Sequence, residues 1–207
     1  VGPHELIMMP DCNTIALANG GIFTHPNHGR EKLNTDFMQS SLVYLNARSG
    51  TITQQLLPAD PQMSIRHLDC NERGQLVVGT QYQGAAFELR PSVLIHHAGS
   101  DSLTPMRAAD SIWRKHEHYI ASISVKDSLA ISTAPRGGVI DIWQLDEGRH
   151  LSQYKVRDCA GITAGIDENF FLSNGHGEIF GLSSAQSPEK LLQRSLRWDN
   201  HLSAHHI

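Results

Sequence analysis

No run of 18 apolar residues occurs in the chain, which excludes a membrane-spanning helix. Cysteine is scarce: Cys12, Cys70 and Cys159 lie far apart with no CxxC pair. An odd, scattered set makes neither a disulfide framework nor a zinc knuckle, and these thiols are expected to be small buried or turn residues. Charge is thin as well. Charged residues are 18% of the chain, and 17 Lys and Arg against 21 Asp and Glu leave a formal charge of −4. Nucleic acid and anionic membrane therefore have no electrostatic footprint to meet. No stretch of ten or more residues repeats its apolar positions at 3.6, so an α/β fold is excluded. A nucleophile elbow is missing too. The glycine pairs Gly20-Gly21 and Gly137-Gly138 precede no helix, so they lack the dipole and amide array of a phosphate cradle and read as turn glycines.

What is present is apolar material and histidine. Hydrophobic residues make up 40% of the 207, enough for a packed core. The 13 histidines nearly match the Lys and Arg together, so the net charge can change sharply between pH 5 and 8. The first residues, Val1 to Glu5, have neither the basic start nor the apolar stretch of a secretory signal, and are expected to lie inside a domain.

The organisation shows in repeats. Gly50, Gly99 and Gly148 stand 49 residues apart, each after a short alternating or apolar run (Leu42 to Leu45, Val93 to Ile95, Val139 to Trp143). Each marks a tight hairpin turn. Upstream of these lies a second ladder: Leu6 to Met9 turning into Ile15 to Ala18, Ile65 to Cys70 into Leu76 to Val78, and Ile120 to Val125 into Leu129 to Ile131. The fourth runs from Ile162 to Ile166, through Asp167-Glu168-Asn169, into Phe170 to Leu172. The unit is a four-stranded meander repeated four times, with inserted loops at about 22–40 and 99–117. Four-stranded units of this length are the signature of a β-propeller. The expected fold is therefore all-β, with four-stranded antiparallel blades at about 1–60, 61–110, 111–157 and 158–200 and a tail at 201–207. A two-sheet sandwich is the alternative, but it leaves the glycine interval unexplained.

Gly2-Pro3-His4-Glu5-Leu6, Met9-Pro10-Asp11 and Ala18-Asn19-Gly20-Gly21 resemble the YVTN/WD40-like propeller repeat, with Cys12 where that repeat carries glycine. Gly20-Gly21-Ile22 through His25-Pro26 to Gly29-Arg30-Glu31-Lys32-Leu33-Asn34 is more specific, together with Ser64 to Leu68, Gln81 to Gly84, Pro135 to Gly138 and Trp198 to Leu202. These stretches resemble a family of uncharacterised bacterial exported propeller proteins often encoded beside imelysin-like, iron-regulated proteins. The resemblance spans essentially the whole chain. It implies a ring of seven blades, of which this chain would supply about four at the C-terminal end, and it implies a periplasmic location.

Propeller topology brings first-strand starts and second-to-third connections to one rim. The candidate rim residues are His4, Glu5, His25, His28, Arg30, Arg66, His67, Tyr82, Arg136 and His176, beside Lys32, Asp36, His118 and Tyr119. Imidazoles suit a transition metal, for which His4, His25, His28 and His67 are the candidate ligands; ordinary rim hydrogen bonding is the plainer role. Arg30, Lys32, Arg66 and Arg136 can instead receive a carboxylate or phosphate, unless Arg66 pairs with Glu5, with which it aligns in the repeat. The expected function is a ligand- or partner-binding module with a place in iron or other metal handling. One alternative is a lactonase-like hydrolase using His4, Glu5 and Arg66; another is a scaffold that docks a protein partner. Trp143 and Trp198 are expected to be packing residues.

Overall fold

In the computed structural model, residues 2–29, 31–165, 169–183, 187–199 and 201–203 are described. They form four antiparallel sheets of four strands, each a meander in chain order. The first holds β1 (Pro3–Met8), β2 (Thr14–Asn19), β3 (Ser41–Asn46) and β4 (Ile52–Leu56), and the second β5 (Met63–Cys70), β6 (Leu76–Tyr82), β7 (Val93–His96) and β8 (Thr104–Pro105). The third holds β9 (Ser122–Lys126), β10 (Leu129–Ala134), β11 (Val139–Gln144) and β12 (Arg149–Lys155). The fourth holds β13 (Cys159–Ala164), β14 (Asn169–Asn174), β15 (Glu178–Ser183) and β16 (Glu189–Gln193). These are propeller blades, and each packs on the next in chain order through the innermost strands β1, β5, β9 and β13. The turn Asp167-Glu168 lies outside the described residues.

The turns follow from local chemistry. Gly50, Gly99 and Gly148 all have positive φ, from 60° to 81°, as the 49-residue interval requires. An Asx side chain organises the neighbouring turns: Asp11 Oδ1 accepts from Asn13 and Thr14 amides, Asn71 Oδ1 from those of Arg73 and Gln75, and Asn174 Oδ1 from those of His176 and Glu178. Cys12 sits at φ 53°, the left-handed conformation that explains glycine as the usual residue there. Fourth strands are the most variable part. β8 has only two residues, and the chain beyond it adds Arg107 in parallel to Arg149 on the third blade.

Side-chain alternation builds a core between successive blades. Ile65, Leu68, Leu76 and Leu94 of the second blade meet Ala16, Ala18, Leu42 and Leu56 of the first. Ile131, Ile140 and Ile142 of the third meet Ile162, Phe170 and Leu172 of the fourth. Between the second and third lie Val77, Ile95, Ile123 and Trp143, with Trp113 from α1 (Asp110–Lys115) stacked on Trp143 at 5.3 Å and 17°. That short helix lies in the 99–117 loop, after β8, and Trp143 has the packing role expected of it. On the face of the first blade turned away from the second, cross-strand register aligns Leu6, Leu17 and Val43, and then Met8, Ile15, Leu45 and Ile52. Leu6, Met8 and Ile52 are exposed there.

Two side chains tie the innermost strands together at the axis. Glu5 Oε2 accepts from the Leu68 amide at 2.8 Å, and Asp69 Oδ2 accepts from the Val125 amide at 2.6 Å. A carboxylate from β1 and one from β5 thus each satisfy a donor on the free edge of the next inner strand. Between third and fourth blades the link is a Lys126 ammonium donating to the Gly165 carbonyl at 2.7 Å.

Candidate functional site

Three of the four inner strands carry one irregularity at the same place. A bulge falls between Pro3 and Glu5 in β1, between Ile65 and His67 in β5, and between Cys159 and Gly161 in β13. The inserted residues are His4, Arg66 and Ala160. A bulge removes a residue from the alternation of faces and re-aims its side chain, a device common beside binding sites. His4 and Arg66 are therefore the equivalent residues of the two blades. Aligning Glu5 with Arg66 from sequence misses this by one position, and Glu5 pairs instead with the Leu68 amide and with His67 Nδ1, at 3.3 Å.

Around these bulges the rim assembles. His4 Nδ1 donates to the Arg66 carbonyl at 3.1 Å, and its ring meets His67 edge-on at 4.9 Å between centroids. Burial, then the His67 and Arg66 charges, lower the His4 pKa to about 4 against the smaller upward pull of Glu5. The Arg66 guanidinium lies over Gly20, where an added Cβ would stand 3.2 Å from it. Lys32 descends from the 22–40 loop. Its pKa is lowered by burial first and by the Arg136 and Arg66 charges next, so these three cations sit close enough to repel one another. Arg136 lies over the Tyr119 ring at 4.2 Å, a cation–π contact. None of the three enters an ion pair among the described residues. Arg66 Nε and His67 Nε2 are buried with no hydrogen-bond partner among them. A polar atom sealed from water without a partner costs about 1–3 kcal/mol, so two on adjacent residues ask for an explanation.

Beside the rim opens a cleft of about 630 Å³ between the second and third blades. Lys32, Arg136, Tyr82, Phe87, Trp113 and His118 are among the residues lining it. Tyr82 donates to Glu88 at 2.5 Å, and burial together with that carboxylate pushes its phenol up to about 12, so it stays a donor at neutral pH. Lys32 also donates to Gln83 at the cleft edge.

Other candidates lie apart from this cluster. His25 and His28 form their own edge-on pair at 5.9 Å on the exposed loop. His25 Nδ1 accepts from the Asn27 amide and His28 meets Glu31 at 3.1 Å. His176 is exposed at the β14–β15 turn with its backbone held by Asn174 and Gln193. Arg30 lies outside the described residues. The four histidines considered for a metal thus meet as two pairs. Among the described residues no group of three His, Cys, Asp or Glu is arranged to hold a metal ion. The tail adds a ring the sequence did not place, His201, 6.0 Å from His67.

A constellation that sequence reading did not find lies deeper. Ser92 Oγ is 2.5 Å from His116 Nδ1, and His116 Nε2 is 2.9 Å from Asp141 Oδ2. Asp141 Oδ1 meets His150 Nε2 at 2.8 Å and accepts from Gln153 at 2.9 Å. In the neutral imidazole the carboxylate takes the Nε2 hydrogen and Nδ1 accepts from the serine, which is the polarity of a hydrolytic triad. Yet Ser92 is 4% exposed and both His116 and Asp141 are 0%. No substrate reaches this serine, so the chain of bonds is a strut joining the second blade, the interblade loop and the third blade.

The family described as "Protein of unknown function (DUF1513)" matches residues 1–205. No curated protein matches the chain. Among solved structures it is similar to a chain of the "Crystal Structure of Mitotic Checkpoint Complex", with 14% identity and a TM-score of 0.62 over 90% of this chain and 48% of that one. It is also similar to the computationally designed Ika8 protein, with 13% identity and a TM-score of 0.65 over 99% of this chain and 53% of that one. The chain thus spans about half the length of each, and at this identity the likeness shows the fold alone.

Proposed function

We propose, for a chain that belongs to the DUF1513 family, a binding module that receives a small anion, a carboxylate or phosphate, at the rim of the propeller. The observation that carries this reading is the buried, unpartnered Nε–H donor of Arg66, flanked by Lys32 and Arg136. Arginine presents a fork of donors matched to two oxygens, and an anion set between these cations relieves their mutual repulsion while it satisfies the buried Arg66 donor. A lactonase-like chemistry would draw on Glu5, which is engaged by the Leu68 amide and His67. Export to the periplasm and a part in iron or other metal handling belong to the same proposal and rest on the family resemblance.

Calorimetric titration with inorganic phosphate and with citrate at low ionic strength tests the site. Saturable binding is expected, weakened about tenfold or more in Lys32→Ala and in Arg136→Ala, since a hydrogen bond to a charged group contributes about 1.5–3 kcal/mol. Both side chains are exposed, so these variants fold. Absence of binding by either anion at millimolar concentration overturns the reading.

A further inference from the structure

We infer that the rim ligand is an aromatic acid, its anionic group held at Lys32, Arg66 and Arg136 and its planar ring lodged in the adjoining cleft. This rests on the anion site proposed above and adds the ligand's second half. At about 630 Å³ the cleft lies in the range of small-molecule sites. Lys32 and Arg136 line it, so a ligand anchored on them continues into it.

Four of its other lining residues carry rings, Tyr82, Phe87, Trp113 and His118. Phe87 is 84% exposed, the highest of the large exposed hydrophobic side chains among the described residues, and it lines this cleft. An apolar ring left so fully in water is a recognition feature when it borders a concave site. Tyr82 and His118 stand ring to ring at 5.3 Å. His118 is held there by unusual backbone: Glu117 and His118 are consecutive non-glycine residues at φ 48° and 57°. Each costs about 1–2 kcal/mol, and such strain persists where the surroundings enforce it, often at binding sites. Here the Tyr82 amide donates to the His118 carbonyl at 3.1 Å, and His118 Nε2 lies 3.2 Å from the Ala86 carbonyl. The strained pair thus fixes one wall to the Phe87 loop.

The charges in the cleft favour an anion. Lys32, Arg114 and Arg136 line it with Glu88 and Glu117, and Glu88 is already engaged by Tyr82 and by Arg90 at 2.7 Å. The probes are 1-naphthoate, cyclohexanecarboxylate and inorganic phosphate, titrated into the whole chain by calorimetry. Naphthoate is expected to bind up to about tenfold tighter than cyclohexanecarboxylate, the range of an aromatic pair beyond area burial. Phe87→Ala is expected to erase that preference while leaving phosphate affinity unchanged, and Lys32→Ala to weaken all three. Phosphate binding with no preference for naphthoate overturns the aromatic assignment and leaves the anion site standing; so does a preference that survives Phe87→Ala. If none of the three binds, the anion site fails and this inference fails with it.

Discussion

Replacing Asp141 with Asn is the sharpest perturbation of the fold's polar interior. The carboxylate receives three side-chain hydrogen bonds, from His116, His150 and Gln153, at 2.8–2.9 Å in a place with no solvent exposure. Asparagine keeps one acceptor oxygen and turns an NH₂ toward a donor. If that group faces His116, the imidazole must move its hydrogen to Nδ1, and the Ser92 hydroxyl loses its acceptor. One charge-assisted bond is then lost and the others weakened, for about 3 kcal/mol, near the lower end for breaking a buried ionic contact. For a chain of this size, with a urea slope of about 2–3 kcal/mol per M, the unfolding midpoint falls by about 1 M or more at unchanged slope. The pH dependence adds a second signature. Burial pushes the Asp141 carboxyl up, but hydrogen bonds and charge from His116 and His150 outweigh it and hold the carboxyl below its usual range. A depressed carboxylate contributes stability that is present above its unfolded pKa and lost as pH falls through the folded one. The gap between wild type and Asp141→Asn therefore persists from pH 8 to 4 and closes only in stronger acid. A midpoint within about 0.2 M of wild type at pH 7 refutes the strut.

Asp69 behaves in the opposite sense. Burial raises its pKa to about 6, with the two backbone amides it accepts from pulling the other way. The folded state then holds a proton that the unfolded chain has lost, so Asp69 adds stability as pH falls from about 6 toward 4, by about 3 kcal/mol for a shift of about two units. A ¹³C carboxyl titration with its midpoint near 4 removes this expectation. Cys12→Gly is expected to stabilise the fold by up to about 1 kcal/mol, since relief of the left-handed strain exceeds the entropy glycine adds to the unfolded chain. Chemical denaturation of Cys12→Gly and Cys12→Ala checks it, and a glycine variant no more stable than the alanine one shows the reasoning wrong.

The blades were legible because their signals are local. Gly50, Gly99 and Gly148 repeat the same left-handed turn, and Cys12 betrays its backbone by standing where glycine is usual. The rim followed from topology, and His4, Glu5, Arg66 and His67 do meet. What sequence could not supply was register at the bulges. One inserted residue in each of β1 and β5 makes His4 and Arg66 counterparts and sends Glu5 to a backbone amide. The Ser92, His116 and Asp141 chain was hidden for another reason, its members coming from three elements with no spacing in common. A hint was present in Asp141 itself, an acid within an apolar strand between Ile140 and Ile142, since a buried charge demands partners.

The carboxylates at the axis carry a further consequence. The inner edge of an innermost strand is where amide hydrogens would ordinarily trade with water through small local openings. Glu5 closes that edge at Leu68 and Asp69 closes it at Val125, each reaching from the neighbouring blade. Deuterium can enter at those two amides only when neighbouring blades part, so their exchange reports the separation of blades rather than the fraying of a strand.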